Sequence, residues 1–198
     1  MKKGQNYNRP KKGSMIKVQP IVSLDKIQEI KKMLEENPRD HCLFTMGINT
    51  NLRASDLLQI KVAMVKGKKP GQDIEIKEKK TGKLRRITLN KSVIRAIREL
   101  VVFTDYAEDD FLFKSQRSSA LTVPAVSQKV KTWCKKVKLK GNYASHTLRK
   151  TWGYHQRVTF KRGLPELVLC FNHSTQRQTL DYLCIQAEEL KEIYMNDI

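Results

Sequence analysis

Hydrophobic and polar positions recur along this chain in two rhythms, and the helical one dominates. After Ser23, which is suited to cap a first turn, Ile27, Ile30 and Leu34 fall on one helical face. Pro38 breaks that run, and Leu43, Phe44, Met46 and Ile48 mark a second helix that ends at Asn49–Arg53. Ser55 is placed to cap a short helix carrying Leu57, Leu58 and Ile60. Asn90 or Ser92 opens a helix with Ile94, Ile97 and Val101 facing inward. Thr122, with Pro124 in the first turn, opens a longer one whose Val126, Val130, Trp133 and Val137 share a face. Residues 145–160 read as one helix despite Gly153. Pro165 starts another with Leu167, Val168 and Phe171, and the turn Asn172–Thr175 leads into a helix around Thr179 to Tyr182. An amphipathic helix, Glu188 to Met195, closes the chain.

The period-two rhythm appears in one place. Asp73–Lys77 alternates polar and apolar, Leu84–Leu89 does so less cleanly, and Lys79-Lys80-Thr81-Gly82-Lys83 joins them. The pattern predicts a mostly α protein with one small β-hairpin, an α+β fold whose hairpin tip is loaded with lysine.

Composition narrows the function. At 198 residues the chain has room for one domain with a core that needs no disulfides. Hydrophobic residues at 39% exclude wholesale disorder, and no apolar run approaches the ~18 residues of a membrane span. The residues after Met1 hold no apolar stretch of the kind a secretory signal needs, so a cytoplasmic protein without a membrane partner is expected. Cys42, Cys134, Cys170 and Cys184 follow neither a disulfide nor a zinc spacing and read as free thiols; no cofactor or metal is expected.

A net charge of +19 changes the picture more. Such an excess repels itself in the folded state and signals a polyanionic partner, nucleic acid first. Residues 1–21 read as a flexible basic arm, with Lys2, Lys3, Arg9, Lys11, Lys12 and Lys17 and no acid among the first 19. The polar face of the Thr122 helix carries Lys129, Lys131 and Lys135, which with Lys79 and Lys83 of the hairpin are candidate DNA contacts. The acidic stretch Asp105 to Asp110 reads as a loop.

Four segments carry candidate chemistry. Arg53 lies in INTNLRASDLLQIKVAMV, the hairpin in KKTGKLRRITLN, His146 and Arg149 in SHTLRKTWGYH, and His173 and Tyr182, nine residues apart, in LCFNHSTQRQTLDYLCI. His146 and Arg149 stand at i, i+3 on one helix face, where a histidine and an arginine can grip a phosphate oxygen. In this order and spacing the four segments resemble the tyrosine recombinases, or phage integrases, over roughly residues 22–190. The family often has glycine before the second histidine; this chain has Asn172.

The resemblance implies a tyrosine recombinase catalytic fold over residues 22–198 with Arg53, Lys80, His146, Arg149, His173 and Tyr182 as the catalytic set. Tyr182 would attack a DNA phosphodiester, forming a 3′-phosphotyrosine and freeing a 5′-hydroxyl. The two arginines would stabilise the developing charge, the histidines would orient the phosphate and move protons, and Lys80, among the hairpin lysines, would protonate the leaving oxygen. It implies double-stranded DNA as partner and a homo-oligomer on it, a tetrameric synapse, with the last helix (about 187–198) packing in trans. An N-terminal core-binding domain of the family's kind is not expected here. A catalytically silent DNA-binding relative, or a topoisomerase-like or resolvase activity on the same fold, are the competing readings.

Overall fold

The computed structural model describes residues 17–116, 119–184 and 194–195. Most of the expected basic arm and of the C-terminal helix therefore lies outside the described residues. Gln19 to Ile21 are docked rather than extended as an arm. Gln19 N bonds Asn142 O (2.8 Å), Ile21 N donates to Thr151 Oγ1 (2.9 Å), and Ile21 is fully buried.

Among the described residues the chain forms helices α1 (Leu24–Met33), α2 (Pro38–Gly47), α3 (Ala54–Leu57) and α4 (Val62–Val65), then strands β1 (Asp73–Lys77) and β2 (Leu84–Thr88). Helices α5 (Lys91–Phe103), α6 (Val123–Lys136), α7 (Ser145–Tyr154), α8 (Leu164–Phe171) and α9 (Gln176–Leu183) follow, with a π-helical segment, His155–Thr159, after α7. The strands pair antiparallel, Asp73 opposite Thr88 through Lys77 opposite Leu84. The expected mostly α fold with one small hairpin is the fold observed.

Capping chemistry sets most helix starts. Ser23, Asn90 and Thr122 each accept from the backbone N–H three residues on. Asn90, not Ser92, caps α5. Helix α1 stops at Met33, before Pro38 is reached. Pro38 occupies the first turn of α2, where its missing N–H costs nothing, behind an Asn37 cap. The cap of α3 is Arg53 in extended conformation, and Ser55 sits inside the turn donating to Asp56 Oδ1 (3.2 Å). Helix α4 lacks a legible pattern because it has only four residues.

Helix α2 runs through the core and is buried from Asp40 to Gly47. Its buried Asp40 is neutralised by Lys129 Nζ (2.7 Å) and Arg39 Nη2 (3.0 Å), so Lys129 ties α6 to α2 and is not a free phosphate contact. At its other end Gly47 lets α7 approach closely; a Cβ there would stand 2.6 Å from Leu148 Cδ1. The long helix expected over 145–160 instead widens at His155, whose carbonyl accepts from Phe160 N five residues on. The His155 ring spans Thr159 Oγ1 (2.8 Å) and Ile21 O (2.9 Å), tying this segment to the docked N-terminal stretch. A second apolar cluster, Leu167, Phe171 and Leu183 with Trp152 and Leu180, packs α8 and α9 on α7. Gly153 is its contact point, since a Cβ would lie 2.5 Å from both Phe171 and Leu183.

Candidate active site

The clusters meet at a polar hollow formed by α7, the α3 turn, the hairpin and the α8–α9 loop. Helix α7 presents His146 at its rim and Arg149 one turn deeper, 3% exposed. Arg149 Nη2 donates to Phe171 O (3.1 Å), its guanidinium lies over the Phe171 ring (5.1 Å), and its Nη1 is buried without a hydrogen-bond partner. Burial lowers the Arg149 pKa to about 10, a cost borne by an unpaired cation in a dry site. A donor so placed is built for an anion.

Helix α8 ends at Asn172 in the left-handed region (φ 54°), the conformation that suits glycine or asparagine. Asn172 thus adopts a backbone conformation that a glycine at this position would also suit. That reversal brings His173 back to stack on Phe171 (centroids 5.1 Å apart) with Nδ1 3.0 Å from Thr179 Oγ1. Burial, with the charges of Arg149 and Arg53, pulls the His173 pKa down to about 4.

Thr175 caps α9, which carries Tyr182 to the hollow. The Tyr182 hydroxyl lies 3.3 Å from His146 Nδ1, and its ring touches His173 and Phe171 (centroids 5.3 Å). Burial raises the Tyr182 pKa against the pull of Arg149 and Arg53. Burial lowers that of His146, with Arg149, Lys150, Arg53 and Lys80 adding repulsion. At neutral pH the pair is a protonated phenol beside a neutral imidazole, and the phenol donates in the tautomer that carries the imidazole proton on Nε2.

Arg53 is held by two buried carboxylates. Its Nη1 lies 3.0 Å from Glu78 Oε1 and 3.7 Å from Asp56 Oδ2, paired by charge without an aligned hydrogen bond. Glu78 also accepts from Thr81 Oγ1 (2.7 Å) and Arg85 Nη1 (3.3 Å), and Asp56 Oδ1 accepts from Lys79 N (3.0 Å). Burial pushes the Glu78 carboxyl up, but those hydrogen bonds and the Arg53 charge outweigh it, and it titrates below the ordinary range.

Arg53, His146, Arg149, His173 and Tyr182 therefore converge. Lys80 sits exposed on the hairpin tip beside exposed Lys79 and Lys83, and only its charge reaches the hollow, at His146. Lys131 and Lys135 are exposed on α6. The sequence reading missed Asp56, Glu78, Arg85 and Lys150. Two of these had a signal: Asp56 stands at i+3 from Arg53, and Glu78 continues the inward register of Ile74 and Ile76.

The phage integrase family model matches residues 21–183, from the docked N-terminal segment through Tyr182. The chain belongs to the phage integrase family. A probable integrase/recombinase of Bacillus subtilis (strain 168), YoeC, is 36% identical over 89% of this chain and 95% of its own length. The tyrosine recombinase XerC of Caldanaerobacter subterraneus subsp. tengcongensis is 28% identical over 84% of this chain and 48% of its own. Two solved recombinases share the fold. XerH bound to a palindromic difH substrate, post-cleavage, has a TM-score of 0.74 at 20% identity, covering 92% of this chain and 53% of its own. XerA recombinase has 0.72 at 18%, covering 89% and 64%. The chain thus spans less than two thirds of these solved relatives.

Proposed function

We propose that this chain is a site-specific DNA recombinase or integrase that cleaves and rejoins double-stranded DNA through a covalent 3′-phosphotyrosine. The observation that carries the reading is the Tyr182 hydroxyl, 3.3 Å from a neutral imidazole and beside a buried guanidinium with an open donor. A free phenol titrates near ~10 and attacks poorly at pH 7, so it needs such a base and such a charge. A scissile phosphate seated against Arg149 and Arg53 has its non-bridging oxygens stabilised as negative charge grows. The Tyr182 oxygen–phosphorus bond forms as the phosphorus–5′-oxygen bond breaks. The phenolic proton passes to His146 Nδ1, and the 5′-oxygen takes one from Lys80. His173, fixed by Thr179, orients the phosphate. The phosphodiester energy is kept in the protein link, so rejoining needs no ATP.

DNA is the partner that fits a net charge of +19, and the cytoplasm is the compartment that holds it. The family membership also supports assembly as a homo-oligomer on DNA, a tetrameric synapse, with the basic arm on phosphates and the segment about 187–198 docking on a neighbour. The test is to incubate the protein with the DNA that flanks its own gene, trap SDS-stable adducts and sequence the junction. Wild type is expected to form a 3′-linked adduct and Tyr182→Phe to bind equally but form none. An adduct with the Phe variant, or none with wild type, overturns the reading.

A further inference from the structure

We infer that Lys150 is a positioning residue for the nucleophile: its buried ammonium fixes the ring of Tyr182 and favours departure of the phenolic proton. The inference rests on the recombinase reading above. His146, Arg149 and Lys150 stand at i, i+3 and i+4 and so share the face of α7 that looks into the hollow. Arg149 serves the phosphate side. Lys150 turns under the tyrosine, 6% exposed, with Nζ 4.8 Å from the Tyr182 ring centroid.

The surroundings do not otherwise call for a charge there. Among the described residues no carboxylate lies within ion-pair distance of Lys150 Nζ, and its hydrogen-bond acceptor is the Cys184 sulfur at 3.4 Å, a weak one. Burying an ammonium without an acid is costly, whereas a methionine would fill the same space against the Tyr182 ring at no such cost. The strong interaction open to Lys150 is with the tyrosine's π face. That interaction grows when the hydroxyl loses its proton, because the phenolate carries a full negative charge. The lysine therefore favours the ionised form over the resting one, which is the differential a nucleophile requires. It also repels a proton from His146, keeping the acceptor empty. The other groups bearing on Tyr182 are His146 and Arg149 on α7, His173 on the α8–α9 loop, Arg53, and Cys184 after α9.

The experiment follows adduct formation on a nicked duplex built from the junction sequence trapped as above, across pH 6 to 9 (roughly the range over which imidazole and phenol control the rate). Lys150→Met keeps the stem and removes the charge; Lys150→Arg keeps the charge. Lys150→Met is expected to slow adduct formation about 10-fold or more at pH 7, the scale of a desolvated cation–π contact. Its pH–rate curve should move to higher pH, DNA affinity should hold, and Lys150→Arg should recover most of the rate. Equal rates for Lys150→Met and wild type, or equal impairment of Met and Arg variants with an unmoved pH profile, overturn the inference while leaving the recombinase reading intact. Absence of adduct from wild type overturns that reading instead. Should Lys150→Met fail to fold, Lys150→Gln makes the same comparison, and failure of both neutral variants to fold assigns the lysine to structure and overturns the inference.

Discussion

Glu78 is the most exposed point of the proposed mechanism to a stability measurement. Its side chain is 4% exposed and faces the Arg53 and Arg85 guanidiniums, whose side chains are 19% and 17% exposed. Glu78→Ala leaves Arg85 without its carboxylate and Arg53 with Asp56 alone, at 3.7 Å, beside an Arg149 that has no ion-pair partner among the described residues. Breaking a buried ion pair by deleting one partner costs ~3–5 kcal/mol, and the wet edge of both arginines brings the expectation to about 2–3 kcal/mol. In a chain of this size that is a fall of about 5–10 °C in Tm. Glu78→Gln keeps an acceptor for Thr81 and should lose roughly half as much. The sign with pH is fixed by the depressed carboxyl. A group whose folded pKa lies below its unfolded value contributes its stability above the unfolded pKa, here 4.5. That contribution is lost as pH falls through the folded value. The gap between wild type and Glu78→Gln should therefore be full at pH 7 and shrink as pH drops below about 4.5. DNA should stabilise Glu78→Ala more than wild type, because a phosphate can stand in for the missing carboxylate. Thermal melts at both pH values, with and without duplex DNA, measure all of this. A Glu78→Ala melting point within about 1 °C of wild type would refute the claim that this carboxylate holds the arginines.

Lys80→Ala should cleave ordinary DNA ~10²–10⁴-fold more slowly and recover on a substrate with sulfur at the bridging 5′ position, since a thiolate leaves without a proton. Rescue of Lys79→Ala or Lys83→Ala instead would move the acid along the hairpin, and rescue of none would leave the tip as a DNA contact. The α6 lysines should divide. Lys131→Ala with Lys135→Ala should flatten the salt dependence of DNA binding by about 0.9 for each phosphate they no longer neutralise. Lys129→Ala should leave that slope alone and lower Tm, because Asp40 loses one of its two counter-charges; a flattened slope for Lys129→Ala would contradict its structural pairing.

Local chemistry was readable from the sequence wherever one residue decides an outcome. Ser23, Asn90 and Thr122 cap helices because their side chains suit that job in any context, and the His146/Arg149 spacing puts both residues on one face wherever α7 lies. Legibility failed where a distant partner decides. Lys129 looks like its lysine neighbours until Asp40, 89 residues away, is seen beside it. The His155 ring, at the start of the π-helical segment, is paired with Ile21 O, 134 residues away. Lys150 reads as one more lysine in a basic chain, and only the docking of α9 shows that its ammonium is buried under a tyrosine ring. Asp56 and Glu78, which hold Arg53, look like surface acids by charge, and only their positions, i+3 from Arg53 and in register with Ile74 and Ile76, hint at burial.

The resting state of the hollow explains why its parts need each other. Carbonyls at the end of α8 collect donors from three separate segments. Cys170 O accepts from Asn51 Nδ2 (2.9 Å) and Arg85 Nη2 (2.8 Å), and Phe171 O accepts from Arg149 Nη2 (3.1 Å). The helix end that would otherwise leave those carbonyls bare thus fixes the Arg53 loop, the hairpin and α7 relative to His173. Within that frame burial raises Tyr182 and lowers His146, so neither a phenolate nor an imidazolium is stable before DNA arrives. A seated phosphate offsets the charges of Arg53 and Arg149. That raises both pKa values together and gives no free phenolate. The proton therefore has to move as the oxygen–phosphorus bond forms, when negative charge passes from the phenol to oxygens already facing the arginines. Under the proposed mechanism this hollow holds its nucleophile protonated in the absence of DNA and releases the proton only during attack.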